Sequence, residues 1–593
     1  MKLIFTDSFN DIKTKLTNVG GEWDETQPGK KVLRLDGGVM NWFEGTGTVQ
    51  FQGKPGKKES LERLVTAALA PEKDLPPATE PPPAVSIELK PDPSEDVATQ
   101  HLKGMFTGSE IIIGIVSAVG TESSRVINPL KDRILQFGYH VEEIKISSLL
   151  TPPSTNSSGT SEYSRIKGLM EVGDKLREAT KNNAILSYGA AKCIKEKRDE
   201  RNTKRAYIIN SLKHPEEVEL LRKVYGQGFY LFGIHADPKR RLHYLINDKG
   251  LTQSEAVELT KIDEDENITH GQRTRDTYHL ADFFINLGKN DDQVKNTLQR
   301  FLELILSHPY KNPTFDEFAM FMAFSSSVRS GDLSRQVGAV ITKERQIIAT
   351  GANDSPKFGG GLYWAETDES SGTVSDTPQG KDYTRGEDSN KSEQTEIINE
   401  ILSEIGNLEK DQEVTEKAYK GIQAILEKSR IRDLTEFGRV VHAEMEALLS
   451  CSRSDISCAA SDLYCTTFPC HNCAKHIIAA GVKRVIYVEP YPKSKALEFH
   501  SDSVELNTTL ETSKTSSNVV FEPFTGVGAR RFLDFFSMNL GSGSKLKRKN
   551  KDGSIIDWDK TKAKTRVPLL PISYLDVEAK AAVFFKAETS NPN

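Results

Sequence analysis

Long apolar runs are missing from this chain. No stretch approaches the ~18 residues that a membrane-spanning helix needs, and the first ten residues hold only the apolar run Leu3 to Phe5. Neither a signal peptide nor a membrane partner is expected. Cysteine is scarce as well, with 6 in 593 residues. That excludes a disulfide scaffold and suits a reducing, cytoplasmic setting. Basic excess is absent: the formal net charge is −6, so no global field draws nucleic acid. Internal repeats are not found. The length allows about four domains, each with its own core.

What is present changes character along the chain. Residues 1–70 alternate short apolar runs with glycine (Val32-Leu33-Arg34-Leu35, Val39 to Phe43, Thr48 to Phe51) before an amphipathic stretch at Ser60 to Ala70. They read as a small α+β unit. Residues 71–106, with Pro81-Pro82-Pro83 and many acids, read as an extended linker. From 107 to 307 the strands Ile111–Val116, Tyr139–Ile146, Arg205–Asn210 and Phe229–His235 alternate with helices, which predicts a doubly wound parallel sheet. Residues 308–540 form a second α/β unit with an insertion at 359–439. Residues 541–593 are a basic extension carrying Lys545, Lys547, Arg548, Lys549 and Lys551.

Two of the cysteines fall in a motif, His442-Ala443-Glu444 followed by Pro469-Cys470-His471-Asn472-Cys473. One imidazole and two thiolates supply three ligands for one Zn²⁺ and leave a fourth tetrahedral position open for water, as in catalytic sites. Zinc lowers the pKa of such a water toward neutrality. Glu444 lies two residues beyond the His and cannot share its helical face, so it suits proton transfer better than ligation. Cys193, Cys451, Cys458 and Cys465 are expected to be buried apolar residues rather than part of a second zinc site, which would need Cys451 and Cys458 with His471 or His476. His-x-Glu with Pro-Cys-x-x-Cys is the signature of zinc-dependent nucleobase deaminases. It implies attack at C4 of cytosine while Glu444 protonates N3 and then the departing ammonia.

The flanking residues narrow the resemblance. Ser334 to Ile341 and Ala349 to Asn353 resemble the first hairpin of deoxycytidylate deaminases, which have an α/β/α sandwich. The resemblance implies that Asn353 holds the sugar hydroxyl. It also implies that the main chain at Thr466 or Thr467 receives the leaving amine, and that Tyr491 stands near the base. A core or rim place for Tyr491 stays equally open. Arg335, Lys357 beside Gly359-Gly360-Gly361, and Arg530-Arg531 are candidate phosphate cations. Glu446 departs from the family, many members of which have Asn there.

Residues 107–307 resemble P-loop deoxynucleoside and nucleoside monophosphate kinases. Gly114, Gly120 and Thr121 mark the loop, but it has no lysine, and Asn210 stands where a magnesium-holding Asp is expected. Phosphoryl transfer is not expected; a nucleotide sensor and a purely structural domain both remain open. Lys213 and His214 suit either a phosphate or a helix cap. The fusion as a whole resembles the bacterial anti-phage dCTP deaminases. That resemblance implies deamination of free deoxycytidine nucleotides, dCTP or dCMP, a nucleotide or RNA regulator on the kinase-like domain, and a homo-oligomer. Two other readings are a cytidine deaminase acting on RNA or single-stranded DNA, and a sensor or scaffold whose output is the deaminase.

Overall fold

Apolar residues spaced by two build the sheets, and their partners at helical spacing close them. The computed structural model describes residues 3–17, 19–25, 28–54, 56–69, 96–150, 161–198, 204–264, 270–288, 290–408, 420–427, 429, 431, 434, 437–491, 495–506 and 517–590. Residues 71–95 of the proline-rich stretch lie outside them. The chain divides into two compact units, Met1–Lys90 and Pro91–Asn593.

The first unit is a five-stranded antiparallel sheet in the order Leu3–Ile4, Thr48–Gly53, Gly38–Phe43, Lys30–Leu35, Glu22–Asp24. Helices Phe9–Lys15 and Lys57–Leu69 contribute Ile12, Leu61 and Val65 to one core with Leu33, Met40 and Trp42. The buried Trp42 indole donates to the Phe5 carbonyl at 2.9 Å.

The second unit contains two six-stranded sheets. The first runs Gly526–Val527, Phe283–Asn286, Phe229–His235, Ile111–Ser117, Arg205–Asn210, His140–Lys145, and all are parallel except the first of these. Every residue of Ile111–Ser117 and Phe229–His235 is buried, because helices cover both faces. Alternate residues separate cleanly. Ile111, Ile113 and Ile115 meet the helices Ser124–Gln136 and Asp291–Ile305, whereas Ile112 and Val116 share a core with the helices Ile185–Lys197 and Pro215–Tyr225.

The second sheet runs Gln346–Ala352, Gly338–Lys343, Asp462–Cys465, Arg484–Tyr487, Val519–Pro523, Val504–Leu506. It is antiparallel through the first three strands and parallel through the last four. Helix Phe315–Ser327 covers one face, with Ala319 and Met320 in the same core as Val340, Tyr464 and Ile486. Helices Ala443–Arg453 and His471–Ala479 cover the other. Two glycines permit this closeness. A Cβ at Gly338 would lie 1.9 Å from the Ala323 carbonyl oxygen, and one at Gly351 would lie 2.1 Å from that of Ala443.

The chain then returns to the first sheet. Phe535 enters its core, and the buried Arg531 donates to the Phe229 carbonyl at 2.6 Å. Arg566, also buried, donates to the carbonyls of Asp534 (2.8 Å) and Ser537 (2.6 Å). The segment from 541 to 567 is therefore strapped onto the first layer, with Lys545, Lys547 and Lys549 left exposed. Among the described residues no helix is long and apolar enough to cross a membrane.

The turn after Ile111–Ser117 is not a phosphate cradle. Gly114 lies inside the strand, where a Cβ would meet Phe229 and Leu212 within 2.8 Å. Gly120 has φ +80° and abuts the Arg241 carbonyl. The hydroxyl of Thr121 is buried without a partner. The Val119 amide donates to Asp263 at 2.8 Å, so a carboxylate of the chain takes the place a phosphate would need. His214 caps the helix Pro215–Tyr225, accepting from the Glu216 amide.

Candidate metal and catalytic site

The site forms where two helices start under the second sheet. An isolated bridge between Asp354 and Val441 brings His442 to the end of strand Gln346–Ala352, and His442 is the N-terminal cap of helix Ala443–Arg453. Cys470 caps helix His471–Ala479 and accepts from the Cys473 amide at 3.4 Å. Helix N-termini favour negative charge, which suits thiolates. The His442 Nδ1 lies 3.3 Å from each cysteine sulfur, and all three ligand atoms fall within 4.8 Å of one another. Bonds of about 2.0 Å to nitrogen and 2.3 Å to sulfur at a tetrahedral angle place these atoms about 3.5 Å apart. The trio therefore fits zinc in both donor chemistry and spacing. Cys451, Cys458, His471 and His476 form no such group among the described residues.

The electrostatics follow from burial. The Cys473 thiol hydrogen bond, aided by His442, holds Cys470 down to about 3, while the same bond and burial push Cys473 up. His442 is raised, chiefly by its hydrogen bond to Cys470. Glu444 is 3% exposed, and burial first, then the Cys470 charge, push its carboxyl up. A carboxyl moved toward neutrality can both hold and release a proton at working pH.

A cavity of about 200 Å³ opens above these groups. Arg335, Asn353 and Thr467 line it together with His442, Glu444 and Cys470. Asn353 is buried and braces the rim, accepting from the Val337 amide (2.6 Å) and donating to the Arg335 carbonyl (2.8 Å). Arg335 is exposed at the mouth.

Other expected residues lie elsewhere. Lys357 is exposed and pairs with Glu366 at 3.3 Å, away from the lining. Tyr491 is buried against the first layer, its hydroxyl donating to Asp263 at 2.5 Å with the Arg241 guanidinium 4.4 Å above its ring. Its backbone turns that way because strand Arg484–Tyr487 has ended and Glu489 pairs with Arg275 at 3.2 Å. Arg531 serves carbonyls in the core, and Arg530 does not line the cavity. Glu446 pairs with Arg453, against which Gly360 packs, and so anchors the start of the insertion.

The insertion supplies a wall that no motif announced. Asp382, Asp388 and Asn390 line the cavity, as do Asp332 and Phe468. Asp382 is held by Arg439 at 2.6 Å. Asn390 donates to the Leu434 carbonyl at 2.8 Å, and its Oδ1 is buried without a partner.

Residues 313–489 match the family model of the cytidine and deoxycytidylate deaminase zinc-binding region. This stretch is a deaminase-family domain. The deoxycytidylate deaminase of Enterobacteria phage T4 is 29% identical over 174 residues, 29% of this chain and 77% of that protein. ComE operon protein 2 of Bacillus subtilis is 45% identical over 53 residues, 9% of this chain and 28% of that protein's length. Among solved structures, the dCMP deaminase of cyanophage S-TIM5, determined in apo form and in complex with dCMP and dUMP, aligns with 36% of this chain and 100% of its own. Identity there is 20–21%, with a TM-score of 0.19.

Proposed function

We propose that this chain hydrolyses the amino group of free deoxycytidine nucleotides, dCMP or dCTP, to give deoxyuridine nucleotides and ammonia. The observation that carries the reading is Glu444, buried with a raised carboxyl pKa beside the His442, Cys470 and Cys473 trio, at the floor of a cavity. Zinc held by that trio supplies Lewis acidity that makes water a nucleophile near neutral pH. Glu444 holds the proton, gives it to the ring nitrogen, and passes a proton to the departing amine. Asn353 keeps the Arg335–Val337 rim in place for the sugar, and Arg335 at the mouth is the cation available for phosphate. Thr467 contributes backbone at the amine side. Phe468 lines the cavity and offers a ring face to the base.

The resemblance to anti-phage dCTP deaminases supports the further reading that turnover drains a nucleotide pool during infection, in a homo-oligomeric enzyme. Release of ammonia and uracil nucleotide from dCMP and dCTP, followed by mass spectrometry, tests the chemistry; inactivity on both ends this proposal. The exposed lysines at 545–549 favour a second reading, deamination of RNA or single-stranded DNA. A cytosine oligonucleotide assayed beside dCTP separates the two.

A further inference from the structure

The catalytic cavity is short of cations for a phosphorylated substrate. Among its described lining residues Arg335 is the only Lys or Arg, set against Asp332, Asp382, Asp388 and Glu444. Arg439 balances Asp382, whereas Asp332 and Asp388 meet backbone amides, those of Ser334, Arg335 and Lys391. The insertion continues the same way: residues 359–408 hold 11 carboxylates against 3 cations. A mouth of this sign repels phosphate unless a cationic surface covers it. Such a surface exists in the same chain. Residues 545–564 hold 8 cations against 3 carboxylates, in a hairpin closed by the Lys549–Ile555 bridge. Its lysines Lys545, Lys547, Lys549 and Lys551 are exposed. The hairpin cannot serve its own cavity. Arg548 donates to the Pro309 carbonyl at 2.9 Å and the Tyr310 hydroxyl donates to the Arg548 carbonyl at 2.7 Å, which fixes it beside residues 309–312. The rim at Asp332 lies beyond the 13-residue helix Phe315–Ser327, about 20 Å away at 1.5 Å per residue. Both surfaces also carry uncovered apolar side chains. Leu333 in the lining and Phe437 next to it in sequence are 51% and 43% exposed, and Leu540 and Ile555 of the basic segment are 77% and 75% exposed.

We propose that the hairpin of one copy closes the acidic mouth of a second copy's cavity and lends its lysines to the phosphates of the substrate. Opposite charge selects and orients the two surfaces. Each working site then draws on two chains, with His442, Glu444, Cys470 and Cys473 from one and Lys545 to Lys551 from its neighbour. The lysines balance Asp332 and Asp388, and the ammonium charge left over meets phosphate. The benefit grows with the number of phosphates, so dCTP gains more than dCMP. Because the two surfaces differ, either two copies exchange hairpins about a twofold axis or a longer ring closes head to tail. The role given to the lysines rests on the deaminase reading; the contact between copies does not.

Light scattering on the full chain at about 50 mM and about 500 mM salt tests the contact, since screening shortens the reach of charge. Assembly at low salt that comes apart at high salt is expected. Lys545→Glu, Lys547→Glu and Lys549→Glu together should give a monomer with normal zinc content. Its KM for dCTP should rise about tenfold or more, with kcat within about threefold. Adding Glu387→Lys and Glu393→Lys to that variant should restore assembly. Complementation shows on which chain the lysines act. Glu444→Gln is co-expressed with the hairpin variant, so that an intact cavity can meet an intact hairpin only across two chains. The mixed assemblies should recover the wild-type KM at about a quarter of their sites, as random pairing of the two chains dictates. A wild-type monomer at micromolar concentration, a hairpin variant that assembles normally, or mixed assemblies without low-KM turnover overturns the proposal. So does a hairpin variant that loses only the binding of a cytosine oligonucleotide, the mark of a nucleic-acid surface. Absence of turnover on dCTP and dCMP by the wild-type chain refutes the deaminase reading instead, while the salt and charge-reversal results still decide the contact.

Discussion

The Gly114–Thr121 turn and the His442–Cys473 cleft use the same grammar, a strand ending and a helix starting, with opposite outcomes. In the turn, the Val119 amide, the Lys213 ammonium and the Thr274 hydroxyl all converge on Asp263, which is fully buried. The amide and the ammonium there are met by a carboxylate of the chain, while the Thr121 hydroxyl stays buried without a partner. In the cleft, two sulfurs and an imidazole converge on one another within 4.8 Å, a donor set that suits a metal ion. Glycines and helix starts mark where a ligand would fit. Whether one is needed depends on whether the protein has already paired its own polar groups.

The largest test of this contrast is in the cleft. Cys470→Ala should remove bound zinc and activity together, whereas Glu444→Gln should keep the zinc and lower kcat by roughly 10²–10⁴ through loss of proton transfer. Metal analysis beside steady-state rates reads both. Glu444→Gln with near-normal kcat would deny it the proton-carrying role.

The first layer should fail differently. His235 and His214 are buried, and burial chiefly holds both down to about 4. Because the folded pKa lies below the unfolded value, the unfolded chain binds more protons between about 6.5 and 4. Stability from these groups is full above pH 6.5 and is lost as pH falls toward 4, at about 3 kcal/mol per group over the whole window. Hydrogen exchange at pH 7 and pH 4.5 should show the first sheet losing protection ahead of the zinc-loaded second sheet. Simultaneous loss would erase the distinction between the layers.

Much of this was legible in sequence where local pattern decides. The continuous apolar run Ile111–Val116 reads as a strand buried on both faces, and the spacing from His442 to Cys473 carries the metal trio. What stayed hidden depends on contacts distant in sequence. Tyr491 is claimed by Asp263, 228 residues away, and no spacing rule reports that. Asp382, Asp388 and Asn390 reach the cleft only because Arg439, Glu446 and Arg453 dock the insertion. Likewise Arg531 and Arg566 look like surface cations, yet they are drawn inward by carbonyls at the start of strand Phe229–His235 and at the end of helix Ala529–Phe536.

The insertion wall allows a test of intermediate size. Asn390 lines the cavity, and its Oδ1 lies buried without a partner among the described residues, where a small shift of the wall would present it to substrate. Asn390→Ala should raise KM about three- to tenfold with kcat nearly unchanged, the signature of a single neutral hydrogen bond to substrate. An equal fall in kcat with constant KM would instead place the residue in the chemical step.

Lys357 should show the smallest effect. Its Gly-rich neighbourhood suggested a phosphate clamp, but its ammonium is exposed and already paired with an exposed Glu366 at 3.3 Å. Exposed pairs of this kind contribute about 0–1 kcal/mol to stability. Lys357→Ala should therefore leave KM for dCTP and dCMP within about twofold and shift stability by less than about 1 kcal/mol. Arg335→Ala, at the cavity mouth, should raise KM more for dCTP than for dCMP, because a triphosphate presents more charge to the same guanidinium. If Lys357→Ala gave the larger and phosphate-dependent rise, the Gly359–Gly361 loop would have to close over the cleft on binding, and the phosphate site would move from the rim to that loop.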